Sequence, residues 1–198
     1  MTRIRPFQPG DEAALSRVCL LTADAGGDAT GVLEDDDLWG EVFVLPYVAR
    51  HPELAFVVET DDGRVAGYIV GAPDTRAFEE WFASQWWPRF ADRWPRPGVE
   101  RTRQDGTLRY AYGRGPGAEP YGDTHPAHLH IDLLPELQGQ GWGRRLIDTL
   151  SEALRARGVP GLHLVASSDN TGALAFYDRL GFERVPSHDG VQAFARTL

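Results

Sequence analysis

The sequence has no lysine: all 20 of its basic residues are arginine. A P-loop, which needs a lysine after its last glycine, is therefore excluded. Cysteine is almost as scarce. Cys19 stands alone, so no internal disulfide can form and no thiolate cluster can hold zinc or iron-sulfur, which fits a reducing cytoplasm. No apolar run reaches the roughly 18 residues that a membrane-spanning helix needs. The opening residues, Met1 to Asp11, lack the apolar core of a leader peptide, so the expectation is an unexported cytoplasmic protein without a membrane partner. Positive charge is also in deficit, with a net charge of -9. A nucleic-acid surface would show a basic stripe, so none is expected, and an electrostatic partner would be cationic.

What is present is a chain able to bury one sizeable core. Its 198 residues are 42% hydrophobic and 11% aromatic, which suits a single domain over 1–198. Ile4 to Phe7 reads as a strand ended by Pro9-Gly10. Asp11 then stands where it could cap a helix carrying Ala14, Leu15, Val18 and Leu21. A second apolar segment, Leu38 to Val48, should bend at Pro46. Leu54 to Glu59 and Arg64 to Val70 flank Asp61-Asp62-Gly63 as an antiparallel hairpin.

Residues 74–126 form an unusual insertion. Phe78, Trp81, Phe82, Trp86, Trp87, Phe90 and Trp94 fall at mostly helical spacings, which predicts a helix docking a heavy aromatic face; a substrate platform is the alternative. One weak strand is expected around Leu108 to Tyr112. Residues 128–134 then alternate, with Leu129, Ile131 and Leu133 on one side and His128, His130 and Asp132 on the other. Leu146, Ile147, Leu150, Ala153 and Leu154 stripe a helix closed by Gly158. A strand at 162–166, a helix from Asn170 to Leu180 and a final hairpin follow. The pattern implies an α/β fold with a mixed, mostly antiparallel sheet, in which strands 128–134 and 162–166 lie parallel across a helical crossover.

Between that strand and that helix runs Gln138-Gly139-Gln140-Gly141-Trp142-Gly143-Arg144. Free N–H groups and the positive end of the helix dipole converge there, and glycines let a diphosphate approach the backbone. Arg144 and Arg145 add charge at the rim. The dinucleotide fingerprint Gly-x-Gly-x-x-Gly fails from either starting glycine. A connecting glycine-rich turn is the plainer alternative.

Gln138, Gly141 and Gly143 match the Gln/Arg-x-x-Gly-x-Gly/Ala signature of GCN5-related acetyltransferases, the GNAT family. Asn170-x-x-Ala173-x-x-Phe176-Tyr177-x-x-x-Gly181-Phe182 resembles that family's second hallmark. The resemblance is carried by residues 127–198. In the N-terminal half, Arg17 to Leu20, the Asp24/Asp28 turn, Leu54 to Tyr68 and the segment ending Trp94-Pro95 are similar to the acetyltransferase-like C-terminal domain of eukaryotic O-GlcNAcase, here without a glycosidase.

The resemblance implies a GNAT fold and an acetyltransferase taking acetyl-CoA as co-substrate, with direct attack by an amine in a ternary complex. It implies that Tyr177 protonates the departing thiolate and that Asn170 lies near the pantetheine. Leu133 and Leu134 would offer amides to the oxyanion and to the pantetheine chain. Gln138, Gly139, Gln140, Gly141, Trp142, Gly143 and Arg144 would cradle the pyrophosphate. The base is Asp132 or His130: the imidazole suits neutrality unperturbed, the carboxylate only if desolvation raises it. Cys19, in an apolar helix, reads as a small buried hydrophobe. Without lysine, the enzyme could not acetylate its own side-chain amines.

Two other readings remain open in the sequence. A non-catalytic acetyl-CoA-binding or protein-interaction module would keep the loop without the amine-activating groups. A metal hydrolase would use His125, His128, His130 and Asp132, but the last three span about 13 Å along a strand, too far for one ion, and no metal is expected. The acidic turns at Asp24, Asp28 and Asp35 to Asp37, with the aromatic insertion, are the sequence's candidates for receiving a cationic amine. Monomer and homodimer are both compatible.

Overall fold

The computed structural model describes residues 1–198. Its strands are β1 (Arg3–Pro6), β2 (Ala55–Glu59), β3 (Val65–Ala72), β4 (Ala127–Leu133), β5 (Gly161–Ser167), β6 (Glu183–Val185) and β7 (Val191–Thr197). They form one sheet in the order β1-β2-β3-β4-β5-β7-β6. The helices are α1 (Glu12–Leu20), α2 (Asp37–Phe43), α3 (Leu45–Arg50), α4 (Thr75–Trp81), α5 (Arg103–Gly113), α6 (Trp142–Arg155) and α7 (Thr171–Arg179).

Only β4 and β5 run parallel, joined by α6 as a crossover connection requires. Their ladder is short, limited to Ala127 opposite Leu162 and His128 opposite His163. Beyond His128 the strands part: β4 stays with β3 and β5 stays with β7. This divergence opens a wedge in the middle of the sheet, and candidate site residues of β4, the loop after it and α7 gather there.

Alternation along the strands builds two cores. Tyr68, Val70 and Ala72 of β3 pack with the N-terminal helices, whereas Ile69 packs with Leu129 of β4 and with α6. In α6, Leu146, Ile147, Leu150 and Leu154 are fully buried, at the spacing of one helical face. Burial of each such side chain stabilises the fold by about 1.5–3 kcal/mol.

Several local features follow from the residue types. The segment 38–48 is two helices that break at Val44, with Pro46 in the first turn of α3, where its missing N–H costs nothing. Asp11 precedes α1 but does not cap it with its side chain. Its carboxylate instead pairs with Arg5 at 2.7 Å and accepts the Gln8 N–H at 2.8 Å.

The aromatic insertion is core. Phe78, Phe82, Trp86, Trp87 and Trp94 are all buried, and Trp87 stacks on Phe82 and Trp94 at 5.9 and 6.0 Å. The strand expected around Leu108 to Tyr112 is replaced by α5. Thr102 and Asp105 form a reciprocal capping box, and Leu108 and Ala111, three residues apart, are its buried face. Just after α5, buried Arg114 donates to Val42 O at 3.2 Å and to the Tyr47 hydroxyl. Its guanidinium also lies over the rings of Phe78 and Phe82 at 4.9 and 5.0 Å.

Candidate active site

The wedge between β4 and β5 continues into a cavity of about 630 Å³. Its walls come from the end of β4, the loop into α6, one face of α7 and the turn after α1. The loop is shaped by two left-handed glycines, Gly139 with φ of 72° and Gly141 with φ of 83°, conformations that cost other residues strain. The first backbone bond into α6 is donated by Arg145 to Gly141 O. The N–H groups of Gly139, Gln140, Gly141, Trp142, Gly143 and Arg144 donate to no acceptor in the protein. Six donors at the positive end of a long helix make an anion cradle.

The remaining parts of the loop do other work. Gln138 donates its backbone N–H to Pro135 O at 3.1 Å and its side-chain amide to Leu133 O at 2.9 Å, so it clamps the loop to the end of β4. Gly143 is small for a packing reason: a Cβ there would lie 2.9 Å from the Phe176 ring. Gln140 turns its side chain back to Glu136 O and offers only main chain. Arg145 lies over the Trp142 ring at 4.7 Å and does not line the cavity. Arg144 does, together with Arg179.

Register decides which amides of β4 can serve. Leu134 donates its N–H to Ala66 O at 2.9 Å, and it does not line the cavity. The expectation of a paired contact from Leu133 and Leu134 is therefore corrected to Leu133 alone. Because N–H directions alternate along an antiparallel ladder, Leu133 points its amide away from β3, toward the side that β5 has left.

Asp132 and Tyr177 both line the cavity. Burial raises the Asp132 carboxyl above its usual range, against hydrogen bonds from Tyr68 and Thr22 that lower it. Tyr177 is 7% exposed, wedged among Phe176, Phe182 and Phe194. Burial first, and then the charge of Asp132, push its phenol upward, and no hydrogen bond offsets them.

His130 shares the strand face of Asp132 but turns into the aromatic layer, 5.7 Å from Phe43 and 5.2 Å from Tyr47. It does not line the cavity. Desolvation, with the charge of Arg114, pushes it down to about 3, so the imidazole is a poor proton acceptor. The expectation of His130 as a possible base is corrected for this reason. His128 is likewise occupied, bonded to Thr75 and Arg114 at 2.8 and 3.2 Å. Asn170 caps α7, accepting the Ala173 N–H at 3.0 Å, while its amide nitrogen faces Gly26 across the cavity mouth.

The sequence profile of the Acetyltransferase (GNAT) family matches residues 28–182. The chain belongs to that family. The crystal structure of SsHAT is 38% identical and superposes with a TM-score of 0.94, covering 99% of this chain and 98% of that one. The PaiA N-acetyltransferase from Thermoplasma acidophilum, solved in complex with coenzyme A, shares the fold at 13% identity and a TM-score of 0.62, over 100% and 99% of the two chains. Among sequence relatives, Protein O-GlcNAcase of Rattus norvegicus is 23% identical over 192 residues. That alignment takes in 94% of this chain and 20% of the O-GlcNAcase, so the chain spans about a fifth of that relative's length.

The GNAT family uses acetyl-CoA, and the residues present fit it. A row of unpaired amides suits a pyrophosphate, and two arginines flank it. Sequence reasoning did not find Arg179, Thr22, Ala25 or Gly26, all of which line the cavity. Arg179 had a signal, since it lies two residues beyond Tyr177 on a helix already marked. The turn at 22–26 was marked through Asp24, as an acidic turn, and not as a wall of the cavity. The acidic turns are engaged internally: Asp24 pairs with Arg103 at 2.8 Å, and Asp35 and Asp37 share Arg93.

Proposed function

We propose that this GNAT protein, read as one acetyltransferase domain, transfers an acetyl group to an amine by direct attack in a ternary complex. Acetyl-CoA supplies the activated thioester. Asp132 takes a proton from the incoming ammonium, so an N–H bond breaks and an O–H bond forms on the carboxyl. The Leu133 N–H donates a hydrogen bond to the oxyanion that develops on the thioester carbonyl. Tyr177, whose burial keeps the phenol protonated at neutral pH, gives its proton to the departing thiolate and is reprotonated through solvent by the second proton the nitrogen sheds as the amide forms, while Asp132 returns the first to solvent.

The observation that carries this reading is the convergence of Asp132 and Tyr177 on one cavity with the amide loop. A carboxyl raised by burial is better matched to proton transfer near neutrality than an exposed one. Transfer to a panel of primary amines, followed by release of free thiol, tests it. Asp132→Asn and Tyr177→Phe are each expected to slow turnover by about 100-fold or more, with acetyl-CoA affinity nearly unchanged by calorimetry. Unchanged turnover in both variants would remove the acid and base assignments. A wild-type protein that binds acetyl-CoA but releases no thiol with any amine would make it a binding module.

A further inference from the structure

Tyr68 and Asp132 stand opposite each other in the β3–β4 ladder. The Tyr68 hydroxyl donates a hydrogen bond to Asp132 Oδ2, and Tyr68 itself is 0% exposed. The phenol therefore reaches the carboxylate from beneath, where no substrate can touch it. The other groups facing Asp132 are uncharged at neutral pH: Cys19 of α1, Thr22 after it and Tyr177 of α7. His130, two residues back along β4, is neutral as well. No arginine contributes to the ionisation of Asp132. The Thr22 hydroxyl has the Val18 carbonyl at 2.8 Å, and the Cys19 thiol has the Trp39 carbonyl at 3.7 Å. Tyr68 is thus the donor committed to this carboxylate.

We propose that Tyr68 is a positioning residue for the base: it occupies Oδ2, fixes the carboxylate's rotation and leaves Oδ1 for the acceptor's proton. This inference rests on the reading of Asp132 as the base. A hydrogen bond to an ionised oxygen is about twice as strong as a neutral one, so it favours the ionised form against the burial that opposes it. Without it, burial would act on the carboxyl with one opposing hydrogen bond fewer, and no cation would make up the loss. Tyr68 keeps its own proton throughout; the N–H of the ammonium breaks and the new O–H forms at Oδ1.

The test is a carbon-13 NMR titration of the aspartate side-chain carboxyls in the full chain, with Asp132→Asn identifying the resonance. Tyr68→Phe is expected to raise the Asp132 midpoint by about one pH unit, a tenfold change in its ionisation. The acid limb of the amine-acetylation rate should move up with it, at unchanged acetyl-CoA affinity. An Asp132 midpoint that does not move overturns the proposal. Full activity in Asp132→Asn would instead sink the base assignment, while the titration would still report on the hydrogen bond. Should Tyr68→Phe fail to fold, the wild-type Tyr68 Cζ resonance decides. It is expected to step at the Asp132 midpoint, a step lost in Asp132→Asn, and no step overturns the proposal.

Discussion

The two walls of the cleft are built by different means. On the α6 side the wall is main chain: six N–H groups without protein acceptors, set by two left-handed glycines. On the α1 side it is built of side chains: Tyr68 lies beneath Asp132, and behind them, away from the cavity, His128, His130 and Arg114 pack among Tyr47, Phe78 and Phe82. A backbone cradle needs a few residues with unusual freedom and little else, so it is compact and local in sequence. A packed polar layer needs partners from distant segments. It also carries a desolvation cost that the cradle, open to solvent, does not.

This contrast can be broken from the cradle side first. Gly141→Val forces a β-branched residue into a φ of 83°, which should rotate the neighbouring amides out of line. Acetyl-CoA affinity is expected to fall by about 30-fold or more, since φ strain costs about 1–3 kcal/mol and lost donors add to it. A Cβ at that position meets nothing within 4 Å, so the thermal midpoint should fall by only a few degrees. Calorimetric binding alongside a melt checks both halves of the claim. Intact binding by Gly141→Val would erase the distinction.

The second way to sharpen the contrast is acid. Burial lowers the ordinary imidazole range in His128, His130 and His163, with His130 at about 3 and His163 at about 4. Between those values and the unfolded value near 6.5 the unfolded chain binds more protons, so stability rises with pH through that window. The stabilisation is present above about pH 6.5 and is lost progressively as pH falls. For His163 alone the loss by pH 4 is on the order of 3 kcal/mol. Denaturant titrations across this range should show it. Replacing His163 with Gln should flatten the dependence, and a flat wild-type profile would contradict the neutral-core account.

How legible each wall was follows from the same difference. The loop 138–144 could be read because glycines at a strand-to-helix junction have a local physical meaning. Even so, Gly143 was read as making room for a phosphate when it makes room for Phe176. The mixed sheet, the parallel pair and the helix stripe were legible because hydrophobic periodicity records them directly. Leu134 was misplaced because amide direction depends on register with β3, which one strand's sequence does not contain. His130 was placed on the correct face, but the depth of aromatic packing over it is a property of α2 and α3, far away in the chain. The α5 helix was missed, with a weak strand expected around Leu108 to Tyr112 in its second half; Gly106, Thr107 and Tyr110 have poor helix propensity. The capping pair Thr102 and Asp105 was the signal that could have corrected it.

The most direct test of the central claim is a proton–nitrogen correlation spectrum of the full chain, recorded while acetyl-CoA is titrated in. The account expects the amide resonances of Gly139, Gly141, Trp142, Gly143 and Arg144 to move most, shifting downfield as they take up phosphate oxygens. If those signals stay fixed while resonances elsewhere in the protein respond, the cradle is not where the co-substrate binds.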